Sequence, residues 1–166
     1  ADTTSSSIMN TVQALHNMTT YSLHSDDEFA VSFVRGGKII DNITVGGYTD
    51  CYLNWDISII NDAVLTVRNY EINNERTLFC NDNVDIVVDD GSLRLFGNDI
   101  IVTKKNTNNW SGIDISSDGV FDVDNPVTIQ YATTGIDLYY SSGLVNGGNI
   151  VTISNCSDAG IHIHNC

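Results

Sequence analysis

A short triplet of apolar, polar and apolar residues recurs along the chain, and it narrows the available folds more than any other feature. It reads Val31-Ser32-Phe33, Trp55-Asp56-Ile57, Val84-Asp85-Ile86, Ile113-Asp114-Ile115, Ile136-Asp137-Leu138 and Ile161-His162-Ile163. The central residues stand 24, 29, 29, 23 and 25 positions apart. Alternation of this kind turns one side chain outward between two inward ones on a strand. A second apolar segment follows most copies, as Lys38-Ile39-Ile40, Val64-Leu65, Leu93-Arg94-Leu95, Val120-Phe121 and Leu144-Val145. A third is clearest in Ile43-Thr44-Val45, Val127-Thr128-Ile129 and Val151-Thr152-Ile153. The turns between carry Gly36-Gly37, Asp90-Gly91, Asp118-Gly119 and Gly143, where glycine admits a positive φ.

Three short strands per repeat describe one coil of a β-solenoid. A single coil cannot bury its apolar side, so coils stack and their inward residues make one continuous core. The rigid six-residue spacing of left-handed hexapeptide helices is absent, and the variable interval suits a right-handed helix. The expected fold is all-β, a right-handed parallel β-helix of about six coils over residues 31–166. The extra residues of the long coils fall in Asn73–Asn83 and Lys104–Trp110, which are expected to protrude. A β-sandwich is the competing fold, but sandwiches seldom keep one triplet in phase six times. Residues 1–30 read as an N-terminal segment of the same structural domain. There Ser7 caps a short helix with Ile8, Val12 and Leu15 on one face, suited to cover the bottom of the core.

Charge limits the partners. The chain has 21 acidic and 7 basic residues among 166, a net charge of −14. Such a surface repels nucleic-acid phosphates and anionic lipid, and leaves cations and neutral glycans as candidates. No apolar run approaches the length of a membrane span. The start Ala1-Asp2-Thr3-Thr4, without Met, and four cysteines suit a secreted or cell-surface protein in an oxidising compartment.

The repeat interval also suggests contacts. Cys51 and Cys80 are 29 residues apart, as are Asp56 and Asp85, so the spacing predicts a disulfide between adjacent coils. Cys156 and Cys166 are the remaining pair; Cys166 could instead join a neighbouring molecule. The same phase lines up Asp56, Asp85, Asp114 and Asp137 in one outward column continued by His162. That column could hold Ca²⁺ or hydrogen-bond sugar hydroxyls, and otherwise is a solvated polar stripe. His162 and His164 share a strand face, which suits a metal, but no third ligand is evident and no metal centre is assigned. Asn17, Asn42, Asn109 and Asn155 begin N-glycosylation sequons, of which Asn109, in an expected loop, is the best placed.

The coil length, strand pattern and Asn/Gly turns over Val31–Cys166 resemble those of the pectin-lyase-like superfamily of right-handed parallel β-helices. That resemblance implies a polysaccharide lyase, a glycoside hydrolase, a tailspike or a surface adhesin. Its lyases use a Lys or Arg base beside Ca²⁺-binding carboxylates, whereas Arg94 is the one basic residue expected within a core strand here. The Asp-Asp and Gly-His-Gly motifs of its hydrolases are missing. The reading is therefore non-catalytic: an extracellular structural solenoid that associates head to tail into a fibre or surface layer through Ile161 and Ile163 at an uncovered last coil. The alternative is an adhesin or glycan-binding module of a larger protein, and a lyase or hydrolase is a weaker one.

Overall fold

In a computed structural model of the chain, the described residues are 33–34, 37–47, 50–70, 74–139, 144–146 and 150–164. They build an all-β parallel solenoid. Strands β1 (Phe33–Val34), β2 (Gly37–Ile39) and β3 (Ile43–Gly47) make one circuit, and β4 (Cys51–Leu53), β5 (Ile57–Ile59) and β6 (Val64–Asn69) stack on it. Then come β7 (Arg76–Cys80), β8 (Asp85–Asp89) and β9 (Ser92–Gly97), followed by β10 (Ile100–Lys104), β11 (Gly112–Ser116) and β12 (Val120–Val123). β13 (Val127–Gln130), β14 (Thr134–Tyr139) and β15 (Leu144–Asn146) lie above these, with β16 (Val151–Ser154) and β17 (Ala159–His164) last. Every third strand pairs, giving a first sheet from β1 to β16, a second from β2 to β17 and a third from β3 to β15, all parallel.

Period-2 alternation explains the interior. Ile57, Ile86, Ile113 and Ile136 stand in register on the second sheet, as do Leu65, Leu93 and Phe121 on the third. Their side chains are buried, and the continuous core runs from Ile39 to Ile136, about four turns. Corners are held by side chains that accept from the next circuit's backbone. The N–H groups of Val64, Thr77 and Asp85 donate to Asn42, Asp50 and Asp56 at 2.9–3.0 Å. This bridging gives the abundant Asn and Asp a structural use, since a turn otherwise leaves such donors unmatched.

Several expectations need correction. The first triplet does not belong with the rest: Phe33 lies in β1, opposite Tyr52 of the first sheet, while Gly37–Ile39 fills the corresponding place in the second. Residues 31 and 32, like the expected helix from Ser7, lie outside the described residues. The stretch 73–83 is no protruding loop, because Arg76–Cys80 is an interior strand of the first sheet. In 104–110 only the part from Lys105 to Asn108 is exposed, and Trp110 is fully buried with its indole N–H donating to Gln130 O.

The predicted bridge between Cys51 and Cys80 is absent, and both are thiols. β4 and β7 pair at an interval of 27, so Cys51 faces Leu78 and Leu53 faces Cys80. The corner after Cys80 then takes two residues more, which restores the interval of 29 at Ile57 and Ile86. A two-residue offset across strands about 4.8 Å apart separates the Cα atoms by roughly 8 Å, beyond disulfide reach. Cys156 is also a thiol, and Cys166 lies outside the described residues.

Gly37 takes the positive φ expected of a turn glycine, at 132°, but Gly91 and Gly119 serve space rather than backbone hand. Asp90 and Ser117, not Gly91 and Gly119, take the positive φ, at 56° and 53°. A Cβ on Gly119 would come within 2.3 Å of Val88 O, and one on Gly91 within 2.8 Å of Ile59 O.

Candidate functional site: the polar face and edge of the last coil

The outward face of the second sheet carries the polar residues singled out by the repeat. The single column of four aspartates is two shorter runs. Asp56 and Asp85 adjoin where the interval is 29, with the Asp85 N–H donating to Asp56 Oδ1. β8 and β11 pair at an interval of 27, which sets Val87, not Asp85, opposite Asp114. From there Asp114, Asp137 and His162 stand in strict register, and two residues along the strands so do Ser116, Tyr139 and His164. An offset of two preserves which side chains face out, so the outward parity survives even though the neighbours change.

The carboxylates on this face are packed closely enough to affect one another. Asp85 is half-buried, and its carboxyl is pushed up to about 7, first by lost solvation and then by Asp114 and Asp56. Lost solvation and Asp137 also raise Asp114, with His164 pulling the other way.

Asp137 is the centre of the arrangement. It is nine-tenths buried, and its Oδ2 accepts from the Tyr139 hydroxyl at 3.1 Å. That hydrogen bond and the nearby carboxylates raise the Tyr139 phenol. The other oxygen, Oδ1, lies 2.9 Å from His164 Nε2 and 3.9 Å from His162 Nδ1. The two imidazoles sit 3.9 Å apart between centroids, and Tyr139 stacks flat on His164 at 4.2 Å. One donor atom from each of Asp137, His162 and His164 falls within 4.8 Å of the others. The parallel register makes this cluster: it lays His162 beside Asp137 and His164 beside Tyr139, all outward. The third ligand that sequence reasoning did not assign was therefore present in its own column, in Asp137.

The rim of the same coil is apolar. Ile161 and Ile163 hold the inward positions of β17, in register with Ile136 and Leu138, but they are 52% and 55% exposed. Ile150 is more exposed still. Among the described residues no strand pairs with the outer side of β17.

Other residues resist the sequence reading. Arg76, expected in a loop, is buried inside the solenoid, donating to Val45 O and Arg68 O and lying against Cys51 Sγ. Burial raises the Cys51 thiol, with Arg76 opposing. Arg94 is exposed and pairs with Asp122 at 3.4 Å. Tyr52 and Phe79 stack on the outside of the first sheet at 5.3 Å. Of the sequons, Asn42 and Asn155 are exposed, and Asn109 is half-buried with its amide donating to Ala132 O. Asn17 lies outside the described residues. No helix among the described residues is long and apolar enough to cross a membrane.

No family model matches the chain, and neither a curated protein nor a solved structure matches it.

Proposed function

We propose that the chain is a non-catalytic extracellular structural subunit whose solenoids join head to tail, last coil to first, into a fibre or surface layer. The observation that carries this reading is the exposure of Ile161 and Ile163 at positions whose counterparts below, Ile136 and Leu138, are buried and partly buried. An inward apolar residue at the end of a stack is covered only when another coil lies on it. The edge of β17 likewise offers unpaired backbone to a parallel strand. A contact between unlike ends repeats without closing, so it generates open filaments. On this reading the chain is a right-handed β-helix of the pectin-lyase-like kind, with the first and last described circuits completing about six coils. Subunits of charge −14 repel at long range, so assembly is expected to strengthen as salt screens that repulsion.

Electron microscopy and sedimentation of the purified full chain test the reading. Filaments with an axial repeat near 29 Å, about six coils at 4.8 Å each, and loss of those filaments in Ile161→Asp, support it. Monodisperse monomers at high concentration and high salt overturn it.

A further inference from the structure

We propose that Asp137, His162 and His164 form a binding site for a zinc-class divalent metal ion, which ties β17 to β14 across the last coil boundary.

The donor set selects the class of ion. Two imidazole nitrogens and one carboxylate oxygen suit Zn²⁺ and its transition-metal neighbours, whereas Ca²⁺ and Mg²⁺ prefer sites made of oxygen alone. The geometry agrees. Ligands about 2.0–2.1 Å from a tetrahedral ion lie about 3.3 Å from one another. The separations from Asp137 Oδ1, 2.9 Å to His164 Nε2 and 3.9 Å to His162 Nδ1, bracket that value. Small side-chain rotations would equalise them without moving the strands.

The environment supplies a second, independent observation. Asp137 Oδ1 and His164 Nε2 are both buried and neither has a hydrogen-bond partner. At 2.9 Å the two atoms need a shared positive centre, a proton or a metal ion, because two bare lone pairs at that distance repel. Tyr139 occupies the other oxygen of Asp137 and stacks on His164, so it orients two of the three ligands at once. Asp114, one strand below Asp137, adds negative potential that favours a cation. His162 is the most exposed of the three, and its side leaves the fourth coordination position to water.

The alternative is a plain ion pair, with a proton on His164 taking the place of the metal. Titration of the metal-stripped full chain separates the two. The expected result is one Zn²⁺ per chain by calorimetry, with Co²⁺ giving the intense visible bands of tetrahedral coordination. His162→Gln and His164→Gln each weaken Zn²⁺ binding more than tenfold, and Tyr139→Phe, a positioning residue, weakens it by about tenfold. Both histidines are on the surface side of an edge strand, so these variants keep the fold, as circular dichroism checks. Asp122→Asn, on the third sheet, leaves binding unchanged. Absence of saturable Zn²⁺ binding overturns the site. So does binding that survives in the double histidine variant, or displacement of Zn²⁺ by an equal concentration of Ca²⁺. None of these results bears on filament formation, which is read separately.

Discussion

Ile113 and Ile161 hold the same place on the second sheet, two strands apart and linked in register through Ile136. One is fully buried in the body of the solenoid, and the other is half-exposed at its last coil. Their flanking residues are alike: each begins an apolar–polar–apolar triplet with its polar member facing out. The difference comes from what stands above them. Stability in a stacked repeat is granted by neighbouring coils, so an end coil carries the pattern of the core without its energy. That same end coil concentrates the histidines, and its looser packing is what a bound ion or a second subunit would correct.

The contrast can be broken most directly by truncating both isoleucines. Ile113→Ala is expected to cost about 2–5 kcal/mol in urea unfolding, the range for a buried Ile cavity. Ile161→Ala in the monomer is expected to cost less than about 1 kcal/mol, because much of its surface is already in water. Equal losses would mean that the last coil is as well covered as the body.

Glycine substitutions probe the same difference through backbone spacing. Gly119→Ala drives a methyl group against Val88 O, and a forced shift of this kind is expected to cost about 1–3 kcal/mol. At Gly160 the nearest atom to an added Cβ is Ile153 Cγ2 at 3.7 Å, so Gly160→Ala should leave the melting temperature almost unchanged. A large loss at Gly160 would contradict an open last coil.

Asp85 sharpens the comparison by pH. Its carboxyl titrates near 7 when folded, against 3.8 for the ordinary value. The folded state therefore holds a proton that the unfolded chain releases, and stability falls as pH rises from about 4 to 7. Below that window both states are protonated and the cost vanishes. Asp85→Asn should flatten the stability–pH curve in this window and stabilise the protein at neutral pH. A curve of unchanged slope would show that Asp85 is better solvated than its position implies.

The smallest effect is chemical. Burial raises all three thiols, but Cys51 and Cys80 lie fully within the core, whereas Cys156 is only partly buried. Brief alkylation of the native protein should label Cys156 and spare the other two, with all three labelled after denaturation. Mass spectrometry reads the sites directly. A disulfide between Cys51 and Cys80 in that experiment would require a register different from the one found.

Much of this arrangement was legible from residue order, and the failures have definite causes. The strands of the second and third sheets in the middle of the chain announce themselves through clean alternation, as at Ile113-Asp114-Ile115. The first sheet was legible late in the chain, at Val127–Ile129 and Val151–Ile153, but hidden earlier because its inward positions there include Cys51, Arg76 and Cys80, which do not read as a hydrophobic stripe. Arg76 is tolerated there because backbone carbonyls accept its guanidinium, a compensation that only folding provides. The metal cluster was half visible: the column joined Asp137 to His162, but His164 reaches Asp137 diagonally, which a one-dimensional alignment does not display.

The sequence by itself determined an all-β repeat, the inward and outward parity of its strands, and the outward placement of Asp114, Asp137, His162 and His164. These follow from the two-residue period of a strand, which is local and needs no partner. The tertiary structure alone decided other meetings across coils: Cys51 with Leu78 instead of Cys80, Asp114 with Val87 instead of Asp85, and Asp137 with His164 in addition to His162. Corner lengths set those pairings, and a change of two residues leaves parity intact while moving every contact about 6.6 Å along the strand.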